Sequence, residues 1–245
     1  MDNLIELISE DGHSFLAYLA QPKEKPKAGI VILQEIFGVN AHIKEITDFY
    51  ANQGYLTIAP SLFDRIERNV ELDYNQNGVT KGRELKDKCD NNALKDIDAA
   101  ISVVASAGKV GLIGYCWGGS LSWRAACQSK ILSASVSYYG GEIPALKDQT
   151  PFCKFLAHFG ELDKGTPIEA VNQFKVAQPD VLTYTYPADH GFNCNHRSQY
   201  NKISSKIALN RTKKFLEPFW KSQVVYEEFP VYGSRMTVDI LNATK

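Results

Sequence analysis

The chain has 245 residues, 44% of them hydrophobic, which is enough to bury a substantial core as one α/β domain spanning residues 1–245. Its 27 Lys and Arg nearly cancel its 28 Asp and Glu, and no run of five like charges occurs, so composition argues against nucleic acid or a membrane surface and for a small-molecule partner. Nowhere do about eighteen apolar residues run together, and residues 1–10 lack the apolar core of a signal peptide, so a cytoplasmic protein is expected, as a monomer or small homo-oligomer.

Residues 5–8 and 15–19, separated by Asp11-Gly12-His13, read as an N-terminal hairpin on an Asp-Gly turn. Residues 29–33 form a continuous apolar run of the buried-strand type, residues 41–52 have helical periodicity, and residues 56–59 form a strand stopped by Pro60. Residues 64–92 are charged, Asn-rich and weakly periodic, which predicts an excursion over the sheet edge or the active site. Residues 93–107 read as helix. Further strands are expected at 110–113, 134–138, 152–158 and 181–186, with helices near 119–129, 167–177 and 204–218. Such alternation predicts an α/β fold with a mostly parallel central sheet covered by helices on both faces.

Between the strand at 110–113 and the helix that follows stands Gly114-Tyr115-Cys116-Trp117-Gly118-Gly119. This is a G-x-C-x-G turn, the thiol form of the G-x-S-x-G elbow that presents a nucleophile on a sharp strand-to-helix turn. Glycines flank the nucleophile because a Cβ there collides with the strand or helix brought close by the turn. The five cysteines at 89, 116, 127, 153 and 194 are odd in number, scattered and without CxxC spacing, so reduced thiols are expected and not a disulfide framework. Cys194 and His196 lie beside His190, but no fourth ligand with suitable spacing completes a metal site, and none is expected.

A thiol nucleophile needs a base, and the base needs an acid to orient it; on an α/β-hydrolase sheet both follow the nucleophile, acid first. Asp163 follows the strand at 152–158 and His190 follows the strand at 181–186, both at the strand ends where open α/β sheets place ligands. Glu161 and Asp180 compete for the acid, and His158 and His196 for the base. His158 sits inside an apolar strand and reads as a core histidine.

Gln34-Glu35-Ile36-Phe37-Gly38, the Cys116 elbow, the Gly-x-x-Asp segment ending at Asp163 and the Ala-x-His-Gly-Phe segment around His190 together resemble the dienelactone hydrolase family of α/β-hydrolases, over about residues 5–218. The resemblance implies an α/β-hydrolase fold and a cysteine hydrolase that opens lactone or ester bonds with no metal or organic cofactor. It implies Cys116 as nucleophile, His190 as base, Asp163 as its orienter and Glu35 as the group that holds the resting thiol. The oxyanion hole then falls to the backbone N–H groups of Ile36 and Trp117. The family binds the substrate carboxylate with two arginines. Arg83 stands near the first position, while the second, four residues past His190, holds Cys194, with Arg197 three residues further on. Tyr115, Tyr139 and Phe192 are expected to offer aromatic surface to an acyl group, or else to pack the core. The same machinery also suits a general carboxylesterase or thioesterase, and the same fold suits a non-catalytic protein in which Cys116 senses oxidants.

Overall fold

Uninterrupted β-branched and aliphatic runs, which bury both faces of a strand, lie at the centre of the chain and set the architecture. The computed structural model describes residues 3–220; the tail of the expected 1–245 domain, residues 221–245, lies outside them. Strands β1 (Leu4–Ile8), β2 (Ser14–Ala20), β3 (Gly29–Leu33), β4 (Leu56–Pro60), β5 (Val110–Tyr115), β6 (Leu132–Tyr138), β7 (Lys154–Gly160) and β8 (Leu182–Tyr186) form one sheet in the order β1-β2-β4-β3-β5-β6-β7-β8. β1 and β2 form the hairpin, β2 pairs antiparallel with β4, and every pair from β4 onward across the sheet is parallel. The expected mostly parallel sheet is therefore observed.

Helices α1 (Ala41–Asn52), α2 (Gln76–Cys89), α3 (Ala93–Val104), α4 (Trp117–Gln128), α5 (Ile168–Ala177) and α6 (Lys202–Trp220) connect or follow the strands. Successive side chains of a strand point to opposite faces. In β3 this sends Val31 and Leu33 into one core with Ile97 and Ile101 of α3 and Leu121 of α4. Ile30 and Ile32 enter the other with Ile43 and Tyr50 of α1 and Leu216 of α6. A third cluster joins Trp123 of α4, Phe155 and Phe159 of β7 and Phe174 of α5. No helix among the described residues is long and apolar enough to cross a membrane.

The stretch at 64–92 is more ordered than its composition suggested. After a 3₁₀ turn at Leu62–Arg65 it enters α2, capped by Asn75 Oδ1, which accepts from Gly78 N at 2.9 Å. The buried residues of α2 are Gly78, Gly82, Leu85 and Cys89, a helical stripe in which two members carry no side chain, so the sequence shows little apolar periodicity. The missing side chains let the helix approach closely: a Cβ on Gly82 would stand 1.9 Å from the carbonyl oxygen of Ile36. Leu72 N donates to Phe37 O at 2.9 Å beside a Gly38–Glu71 bridge. The excursion is thus fastened to the loop after β3, one wall of the site described next.

Candidate active site

Cys116 ends β5 with φ 55° and ψ −116°, a left-sided conformation that an L-residue adopts only under constraint. Its N–H donates to Tyr138 O at 3.0 Å and its carbonyl accepts from Ser120 N at 3.1 Å, which fixes the turn between sheet and α4. A Cβ on Gly114 would lie 1.9 Å from Gly118 O, and one on Gly118 would lie 2.5 Å from Gln34 O. Both flanking glycines are therefore required by close approach, as the motif implied. The thiol sits at the N-terminus of α4, where the helix dipole and free N–H groups favour negative charge.

His190 follows β8 and reaches back over the elbow. Its Nδ1 lies 2.7 Å from Asp163 Oδ2, which leaves Nε2 for its hydrogen bond with the Cys116 sulfur. Asp163 Oδ1 accepts from Gly165 N at 2.8 Å, so both carboxylate oxygens are engaged and the acid is held in place. Burial disfavours a charged imidazole, but the Cys116 sulfur and the Asp163 carboxylate outweigh it, and the His190 pKa is pushed up to about 10. Burial alone would raise the Asp163 carboxyl; the hydrogen bond and charge of His190, with the Gly165 N–H, pull it below the usual value instead.

The competitors fall away on position. His158 is fully buried, its Nδ1 2.7 Å from Tyr186 Oη and its Nε2 3.0 Å from Thr212 Oγ1, and burial drives its pKa down to about 3. His196 pairs with Glu45 at 2.9 Å and does not line the cleft around Cys116. Glu161 and Asp180 are exposed, and neither lines the cleft around Cys116.

That cleft has a volume of about 640 Å³. Ile36, Phe37, Cys116, Trp117, Asp163 and His190 line it, and Arg83, Lys86, Lys164 and Arg197 give it a cationic wall. Lys86 bonds Glu142 at 2.5 Å, whereas Arg83 has no ion-pair partner among the described residues. Lys86 escaped the sequence reading because it shares a face with Arg83 only once α2 is recognised as a helix. Lys81, on the same helix, turns away to Glu67.

Of the two parts expected of Tyr115, Tyr139 and Phe192, core packing is the one their burial matches. Tyr115, Tyr139 and Phe192 are each at most 2% exposed and line no part of the cleft. They form an aromatic layer beneath it: Tyr139, at φ 41°, places its ring 5.0 Å from His190, and Phe192 packs edge-on to Tyr139 at 5.4 Å. Large rings at strand ends bury more apolar area below the imidazole than they would beside solvent. Tyr139 carries the His190 ring, and Tyr115 and Phe192 pack against Tyr139.

Glu35 is fully buried at the end of β3, and its Oε1 accepts from Arg197 Nη1 at 3.2 Å. Arg197 stands over the paired rings of Phe37 and Tyr74, its Cζ 5.5 and 5.6 Å from their centroids. Glu35 Oε2 has no hydrogen-bond partner. Cys194 is buried beneath, with its thiol pushed up to about 11. The positive charge missing at position 194 therefore enters the cleft from Arg197.

Sheet order, the strand-to-helix elbow and the placement of Asp163 and His190 at strand ends define an α/β-hydrolase fold. The family model of the dienelactone hydrolase family matches residues 15–220, so the chain belongs to that family and is a hydrolase acting on carboxylic ester bonds. The carboxymethylenebutenolidase of Pseudomonas putida is 32% identical over 226 residues, covering 87% of this chain and 95% of that protein. Among solved structures, a Klebsiella pneumoniae protein proposed to be a dienelactone hydrolase superposes with a TM-score of 0.75 at 29% identity, covering 87% of this chain and 98% of that one. A dienelactone hydrolase-like promiscuous phosphotriesterase from metagenomic libraries shares the fold, with a TM-score of 0.71 at 17% identity over 88% of this chain and 98% of that one.

Proposed function

We propose that this chain hydrolyses a lactone or ester bearing a carboxylate, by acyl transfer through Cys116. The Cys116 thiolate adds to the carbonyl carbon, and the oxyanion that forms takes hydrogen bonds from the N–H groups of Ile36 and Trp117. The carbon–oxygen bond of the leaving group breaks as His190 Nε2 gives its proton to the departing alkoxide, leaving a thioester on Cys116. His190 then removes a proton from water, the hydroxide adds to the thioester carbon, and the thiolate departs as the carboxylic acid forms. Asp163 holds the imidazole in the orientation that both proton transfers need. Glu35, with Oε1 on Arg197 and Oε2 unpartnered, is read as the hydrogen-bond acceptor that holds Cys116 as a protonated thiol when its side chain is turned away from His190, the form that resists oxidation between turnovers.

The observation that carries this reading is the strained backbone of Cys116 at the head of α4 with His190, itself 2.7 Å from Asp163, bonded to its sulfur. Arg83 and Arg197 in the cleft support an anionic substrate. One sheet that draws strands from residues 4–186 supports a single domain. Ultraviolet assay of cis and trans dienelactone, with p-nitrophenyl acetate in parallel, tests the reading. Turnover of a dienelactone is the expected result. Cleavage of the aryl ester alone keeps the Cys116 chemistry and moves the substrate to other esters, whereas inertness toward both favours a non-catalytic thiol sensor.

A further inference from the structure

Outside the Cys116 cleft, three ligating side chains converge. His42 and Glu45 stand three residues apart on α1, a spacing that puts both on one helix face. His196 arrives from the loop after β8. One ligand atom from each of the three lies within 4.8 Å of the others, and the His196 and Glu45 atoms are already 2.9 Å apart. The sequence grouped His196 with its chain neighbours Cys194 and His190; the fold groups it with a helix 151 residues away.

The informative member is His42. It is 3% exposed, and neither ring nitrogen makes a hydrogen bond of good geometry, the polar side chain beside it being that of Asn195, while the ring lies against Tyr115 and 5.5 Å from the His196 ring. A buried imidazole whose nitrogens are not well bonded is costly, and such groups normally find a protein atom, a water or an ion. The ring adjoins a cavity of about 340 Å³ whose wall includes Glu45, Asn193, Asn195 and Tyr200, so there is room for an ion with its own water.

We infer that His42, Glu45 and His196 form a site for a divalent transition-metal ion, of the zinc or cobalt type. Two imidazoles and one carboxylate suit borderline ions of that class, whereas calcium and magnesium require sets of oxygen donors. Bonds of about 2.0–2.2 Å in a tetrahedral site place ligand atoms about 3.4 Å apart. Closing from 4.8 Å asks only for small rotations of Glu45 and His196, whose side chains are 56% and 31% exposed and free to turn. Water supplies the fourth position. An ion held here ties α1 to the loop that carries His190 and Arg197, so it acts as a clasp on the catalytic loop and takes no part in the acyl transfer. Its existence is independent of the hydrolase reading.

The test is calorimetric titration of zinc ion into the full-length protein, with cobalt absorbance as a spectroscopic check of nitrogen and oxygen ligation. Glu45→Gln and His196→Ala are compared, because both alter exposed side chains and leave the core intact; circular dichroism verifies that they fold. One equivalent bound in the micromolar range is expected, with at least a tenfold weaker affinity in each variant. A zinc-dependent rise in the thermal midpoint is expected in the parent and absent from the variants. Binding that neither substitution weakens belongs to thiols elsewhere and overturns the inference, as does the absence of any binding below millimolar zinc.

Discussion

His190 Nδ1 and Asp163 Oδ2 lie 2.7 Å apart, the carboxylate side chain 3% exposed and the imidazole 27%. The pair joins the ends of β7 and β8, and its ring tilts over Tyr139 so that the other nitrogen meets the thiol. Removing the charge while keeping the shape is the direct test of the acid. Asp163→Asn is expected to retain the fold and to lower kcat by about 10²–10⁴-fold, since the imidazole loses both its orienter and the charge that stabilises its protonated form.

The raised pKa of His190 sets a pH window. A histidine whose folded pKa stands near 10 holds its proton when the unfolded chain, at about 6.5, has lost it, so this group stabilises the fold fully below about pH 6.5 and progressively less as pH rises toward 10. NMR titration of the His190 ring should show a midpoint near 10 that drops in both Asp163→Asn and Cys116→Ala. A midpoint near 6.5 in the parent protein would mean that sulfur and carboxylate do not act on it.

His158 has the opposite sign. Its folded pKa of about 3 means that the native state refuses a proton that the unfolded chain takes up near 6.5, so stability is complete above about pH 6.5 and falls as pH drops toward 3. The slope from this one group is at most about 1.4 kcal/mol per pH unit. Urea unfolding of the parent and of His158→Gln at neutral and mildly acid pH should show a shallower acid loss in the variant.

Arg197 and Glu35 are coupled through a bond whose carboxylate is 1% exposed and whose guanidinium is 14% exposed. Arg197→Gln strands that carboxylate, and a loss of about 3–5 kcal/mol in unfolding free energy is expected. Adding Glu35→Gln should restore part of the stability without restoring turnover of a carboxylate-bearing substrate. Arg83 carries no such structural duty. Arg83→Ala is expected to raise KM for a carboxylate-bearing lactone about ten- to hundredfold, with a much smaller effect on p-nitrophenyl acetate.

The central strands, the hairpin and the elbow were legible because each rests on local chemistry: continuous apolar runs in β3 and β5, an Asp-Gly turn, and glycines at 114 and 118 that only close backbone approach explains. Helix α2 was not, because its buried stripe is written in Gly78 and Gly82, residues whose value lies in what they lack. For Tyr115, Tyr139 and Phe192 the sequence left open whether the rings face the cleft or pack the core, and they are buried. A one-dimensional reading gives strand ends and not the depth at which a ring settles. The Arg197–Glu35 pair spans 162 residues and the His42–Glu45–His196 cluster 154, distances over which only the folded sheet brings groups together.

Gly82 turns that missing signal into a measurement. Gly82→Ala places a methyl group against the Ile36 carbonyl, 1.9 Å away before relaxation, and must push α2 or the oxyanion loop aside. A loss of about 1–3 kcal/mol in stability is expected, together with a fall in kcat, because the displaced group is next to the N–H proposed to bind the oxyanion.

The claim on which the account rests is that Cys116 carries the acyl group. Mixing the enzyme with p-nitrophenyl acetate, quenching in acid within the first turnovers and mapping the peptides by mass spectrometry tests it directly. An acetyl group on the peptide containing Cys116, absent from Cys116→Ala together with nearly all hydrolysis, is the expected result. Undiminished hydrolysis by Cys116→Ala, or an acetyl group carried by another residue, would contradict it.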